Sequence, residues 1–208
     1  IFFAWRRVPN PEVLEDSLIK SREPEKLSKV FWIYTVFTFV TTLGFANFAL
    51  IGYHFKAKHI MTDAQIPLFY ALAMGVDAVA ALAIGKAYDI FKTRHNNEKA
   101  GLITLIAIPV FSLFIPAFVF STKFSLCLVG VIIWGIVMGA HETVMKSAIA
   151  DLTPLKKRGT GYGIFNTVYG LAIFIGSALI GLFYESSIFI IIIISVAIEM
   201  AAIPVFFI

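Results

Sequence analysis

Polar residues along this chain gather into a few clusters, and nearly everything between them is apolar. Six apolar runs emerge, from Val30 to Phe55, Ala64 to Gly85, Ala100 to Phe120, Phe124 to Ile149, Tyr162 to Phe183 and Ile188 to Ile208. Each is about 20 residues or longer, which is what an α-helix needs to cross a hydrocarbon layer of about 30 Å at 1.5 Å per residue. A core helix of a soluble domain seldom needs more than about 15 apolar residues, and a secretory signal stands alone at the N-terminus. The pattern therefore predicts an all-α polytopic membrane protein with six transmembrane helices over residues 30–208, joined by the short connections of a compact bundle. Residues 1–29 read as a separate unit. IFFAW is the expected end of a preceding transmembrane helix, and Arg6 to Lys29 is a polar linker.

Composition agrees. The chain is 59% hydrophobic and 14% charged, with a mean hydropathy of +0.88, whereas a soluble domain has about a quarter of its residues charged. The placement of charge says more than the net +4. Thirteen of the 17 bases fall in the leader, in an expected loop from Lys86 to Lys99 and in the turn Lys156, Lys157, Arg158, all on one side of a six-span topology. Lys56, Lys58 and Lys123 lie on the other side, and Lys146 falls inside or at the edge of the fourth span. That asymmetry predicts a multi-pass cell-membrane protein with both ends cytoplasmic, and it assigns the basic residues to membrane topology and not to nucleic acid. The single cysteine, Cys127, excludes an internal disulfide.

Enzyme chemistry finds no support. The chain has no His-Glu-x-x-His, no phosphate loop with Lys and Ser or Thr, and no cysteine pair for a metal, so neither cofactor nor metal is expected. Ionisable groups inside spans are costly and are functional candidates by default. Asp77 lies eight residues before Gly85, and Glu142 can occupy a similar depth on a helix running the opposite way. Glu142 and Lys146 are spaced i, i+4 and so share a face, whether as a structural pair or as part of a site. His141 neighbours Glu142 but points about 100° away. Glu199 is either a cavity residue or an interhelical hydrogen-bonding group. In the first span, Tyr34, Thr38 and Thr41 or Thr42 fall on one face, and Asn47, near Gly44, needs a partner that a glycine can admit.

Two segments resemble a known family. DLTPLKKRGTGYGIFNTVYG (Asp151 to Gly170) is similar to the junction between the tenth and eleventh helices of major facilitator superfamily transporters, through Asp151, Pro154, Arg158, Gly159, Gly163 and Gly170. GKAYDIFKTR (Gly85 to Arg94) resembles the C-terminal copy of that family's cytoplasmic loop motif, matching at Gly85, Asp89 and Arg94, with Ile90 in place of a base and Lys92 in place of glycine. The resemblance implies the end of helix six, the central cytoplasmic linker and helices seven to twelve. It implies secondary active transport of a small solute by alternating access, with a proton or cation as the coupling ion. The partners are the lipid bilayer and a missing N-terminal six-helix half or a second copy. It places Tyr34, Thr38, Thr41, Asn47 and Glu142 toward a central cavity, and Asp77, Asp89, Arg94, His141 and Arg158 in gating or coupling. The alternatives are a natural half-transporter acting as a dimer and a non-transporting membrane binding or structural module. The glycines from Gly159 to Gly181 predict a thin helix surface at a moving interface.

Overall fold

The computed structural model describes residues 26–95 and 98–208, with side chains from residue 101 onward in the second segment. The expected helix end at residues 1–5 and most of the linker, Arg6 and Arg7 included, lie outside the described residues. Among those described, the elements are helical without a strand, and six helical segments are long and apolar enough to cross a membrane.

The first span is broken. Helix α1 (Lys29–Gly44) begins at Ser28, whose hydroxyl accepts from the Phe31 amide at 3.1 Å. It stops where Phe45 turns extended, and α2 (Phe48–Ala57) restarts from Asn47, whose Oδ1 accepts from the Ala49 amide at 3.0 Å. Backbone groups freed at such a break must be satisfied inside the protein. The Trp134 indole N–H meets this need by donating to the Ala46 carbonyl at 2.8 Å.

The second span is α3 (Gln65–Arg94), a single helix of 30 residues. This corrects the expectation of a loop after Gly85. At about 45 Å the helix outruns the hydrocarbon layer, so its polar last turns stand in water as helix. The third span is the reverse case. It runs through a 3-10 helix (Glu98–Ile106), α4 (Ala107–Ser112) and α5 (Ile115–Val119). Pro109 and Pro116 sit in the first turns of the two short helices, where a missing amide hydrogen removes no helical bond. Helix α6 (Phe124–Leu152) forms the fourth span, α7 (Arg158–Tyr184) with a preceding 3-10 turn the fifth, and α8 (Ile188–Phe206) the sixth.

The tightest pair is α3 with α6. A β-carbon on Gly135 would lie 2.6 Å from the Ala73 carbonyl oxygen, and one on Gly139 would lie 2.7 Å from that of Asp77. Four residues apart, these glycines let two backbones touch. Helix α1 packs between α7 and α8. The glycines of α7 behave differently from one another: Gly161 meets Thr153 and Gly176 meets the Leu43 carbonyl, while Gly159, Gly163, Gly170 and Gly181 have no neighbour within 4 Å.

Candidate functional site

The break in the first span opens a cavity of about 410 Å³ lined by Phe45, Asn47, Phe48, Tyr70, Trp134 and Tyr169, with contributions from the first, second, fourth and fifth spans. Its walls are rings in contact. Trp134 stacks on Phe45 at 5.5 Å and meets Phe48 edge-on at 5.2 Å, and Phe48 tilts against Tyr70 at 4.9 Å. No lining side chain carries a formal charge. Asn47 spends its carbonyl oxygen on capping α2, which leaves the two amide N–H donors as polar groups for the cavity. Trp134, Tyr70 and Tyr169 carry no sequence signal that separates them from other aromatic residues of an apolar span.

His141 stands directly behind this wall. It is buried, packs on Phe45 at 4.8 Å, and places Nδ1 3.2 Å from the Tyr169 hydroxyl, while Nε2 has no partner. Glu142 and Lys146 are both exposed on α6, and no ion pair joins them. Glu142 is close enough to interact electrostatically with Asp77 on α3, whose Oδ1 is buried without a hydrogen bond. On the adjoining helix, Gly159, Gly163, Asn166 and Gly170 form an exposed stripe, and the Tyr162 hydroxyl ties α7 to α6 by donating to the Lys146 carbonyl at 3.1 Å.

Tyr34, Thr38 and Thr41 are inside the bundle and not at the aromatic cavity. The Tyr34 hydroxyl donates to the Met145 carbonyl at 2.7 Å, and Thr41 donates to Glu199 Oε2 at 2.8 Å. Thr38 is buried beside the Tyr34 hydroxyl. Among these first-span candidates, Asn47 alone lines the cavity, and Gly44 admits the Glu199 carboxyl and not a partner for Asn47.

At the end carrying most of the bases, α3 and α6 are latched. Lys92 Nζ donates to both oxygens of Asp151 at 2.7 Å, and the buried Tyr88 hydroxyl donates to Oδ2 at 2.7 Å. Asp89 and Arg94 are exposed, and Arg158 donates to the Ala150 carbonyl at 3.2 Å. Arg158 and Asp89 therefore do not meet. Lys92, the residue that departs from the resembled loop motif, is the one that makes the ion pair.

Among the described residues, a strandless bundle of six helical segments long and apolar enough to cross a membrane defines a multi-pass membrane protein. A family profile described as Major Facilitator Superfamily matches residues 30–208, and the chain belongs to that superfamily, as a single six-helix half. It is 33% identical over 212 aligned residues to the uncharacterized protein Mb2288 of Mycobacterium bovis and to the uncharacterized proteins MT2327 and Rv2265 of Mycobacterium tuberculosis. All of this chain is covered in each alignment, and it spans about 50% of the length of each of those relatives. No solved structure matches it.

Proposed function

We propose that this half-bundle works in secondary active transport of a small organic solute by alternating access, packed against a second six-helix half. The observation that carries the reading is the aromatic cavity at the break in the first span, built from four spans and partly open. Rings without charge suit a solute with a flat or apolar body, and the Asn47 amide supplies donors to fix its polar end. The exposed stripe of α7 and the Glu142 face of α6 are the surfaces offered to the second half. Relatives twice as long favour that half being present in the same polypeptide. Both ends of the bundle face the cytoplasm in this reading, because the basic residues concentrate there. The Lys92–Asp151 latch steadies the cytoplasmic ends of two helices, and the exposed Asp89, Arg94 and Arg158 contact the opposite half as the gate closes. Glu142, Asp77 and His141 are the groups placed to couple solute movement to a proton or cation.

The test is gradient-driven uptake by vesicles containing the full-length natural protein, screened against mixed metabolites and read by mass spectrometry. One solute accumulates under an imposed pH or ion gradient, and Trp134→Ala raises its KM about tenfold. Ligand binding without accumulation, in vesicles with verified orientation, would replace transport with a membrane binding module.

A further inference from the structure

The last span carries one acid, Glu199, and it does not line the aromatic cavity. It is 0% exposed. Oε2 accepts the Thr41 hydroxyl at 2.8 Å, whereas Oε1 is buried without a donor. Ser112 lies beside the carboxyl with its hydroxyl within reach of it. A β-carbon on Gly44 would come within 3.0 Å of Glu199 Cγ and Oε1, so the carboxyl occupies room that only glycine leaves.

Gly44 is the last residue of α1. The end of a helix carries its unpaired carbonyls and the negative end of its dipole. A carboxylate there would add a second negative charge to one dry place, about 16 Å along α8 by helical rise.

No cation on the packing helices offsets it, and its polar neighbours are the Thr41 and Ser112 hydroxyls. Helix α8 packs on α1, α4, α5 and α7. Helices α4 and α5 hold no ionisable residue, and α1 holds only Lys29 at its start and Tyr34, which bonds Met145. The ionisable residues of α7 are Arg158, Tyr162, Tyr169 and Tyr184, which bond Ala150, Lys146, His141 and His54. An uncompensated buried carboxylate is costly, and binding a proton removes that cost without requiring any added room.

We propose that Glu199 is a proton-binding site set between α8 and the broken end of α1, outside the aromatic cavity. With the proton on Oε1, the neutral carboxyl donates to the Ser112 hydroxyl or to a carbonyl freed at the end of α1, while Oε2 still accepts from Thr41. Loss of the proton strains this joint, so occupancy and the position of the break are linked.

The experiment uses the full-length natural protein in lipid nanodiscs and needs no transported solute. Infrared difference spectra between acid and alkaline pH report the carbonyl stretch of a protonated carboxyl, and thermal unfolding is followed from about pH 5 to about pH 9. The folded protein holds one more proton than the unfolded chain, so its melting temperature falls as pH rises. Glu199→Gln should remove both the infrared band and that fall. Thr41→Val keeps the carboxyl but withdraws the hydroxyl that favours its charged form, so the fall moves to higher pH. This second variant decides the matter if Glu199→Gln does not fold. A band and slope that survive Glu199→Gln, or a Thr41→Val profile that superimposes on the natural one, overturn the proposal. So does stabilisation by sodium, against choline at equal ionic strength, that Glu199→Gln abolishes, because the site would then hold a metal cation.

Discussion

The seam between α3 and α6 and the seam between α1 and α8 join helices of one bundle by opposite means. At the first, Gly135 and Gly139 bring backbone against the backbone around Ala73, Asp77 and Ala81. At the second, side chains do the joining, with Phe37 edge-on to Phe206 at 5.7 Å and Thr41 bonded to Glu199. Lipid gives helices no hydrophobic reason to associate, so either close packing or hydrogen bonds must hold them. A backbone contact admits one register and nothing adjustable. A hydroxyl on a carboxyl can be made and unmade. One seam is a frame and the other a joint, and the broken first span lies on the side of the joint.

The largest effect is expected at the frame. Gly139→Leu drives a side chain into the Asp77 carbonyl and into the Ala81 amide, which a β-carbon alone would approach to 2.9 Å. Backbone cannot yield as a flexible side chain does, so a cost of about 3 kcal/mol or more is expected. Purification should return aggregated or degraded protein, and a normal monodisperse yield would show that α3 and α6 are not the frame.

A smaller effect is expected at the latch that closes the same seam. Asp151→Ala strands Lys92 and Tyr88, but the Lys92 and Asp151 side chains are 31% and 16% exposed, so water takes over part of the interaction. A loss of about 1 kcal/mol in thermal unfolding follows. A much larger loss would make the latch part of the frame and not an accessory to it.

The smallest effect belongs to Gly170, which has no neighbour within 4 Å of an added β-carbon. Gly170→Ala should change stability by less than about 0.5 kcal/mol. In the transport assay the same variant tests whether the exposed stripe meets a second half, since slowed uptake with unchanged stability is expected there.

Span number and approximate span position were legible because hydrocarbon thickness imposes a minimum apolar length that hydropathy reports directly. Helix interruptions were less so. No charge marks the break between Gly44 and Phe48, and only Gly44 and Asn47 hinted at something there. What made the break possible, the Trp134 indole on the Ala46 carbonyl, comes from a residue 88 positions away. The water-facing end of α3 looked like a loop because polar residues in a helix that has left the membrane resemble polar residues in a turn. Glycine density pointed to α7, where Gly176 does meet the Leu43 carbonyl, but Gly135 and Gly139 of α6 make equally intimate backbone contacts and four α7 glycines face nothing, since a glycine's use depends on the neighbour it faces. Asn47 borders the aromatic cavity while Tyr34 and Thr41 bond neighbouring helices, and the sequence did not separate them, because polarity on one helix face marks an interhelical bond as readily as a binding site.

The depth of Glu199 connects the bundle to electricity. Eleven residues into a 19-residue helix, the carboxyl lies roughly halfway through the membrane and therefore through the voltage across it. A proton reaching it from either side crosses about half of that field, which is worth about 1 kcal/mol per 100 mV. Its occupancy would thus respond several-fold to a change between a resting and a collapsed membrane potential, making the joint a voltmeter as well as a hinge.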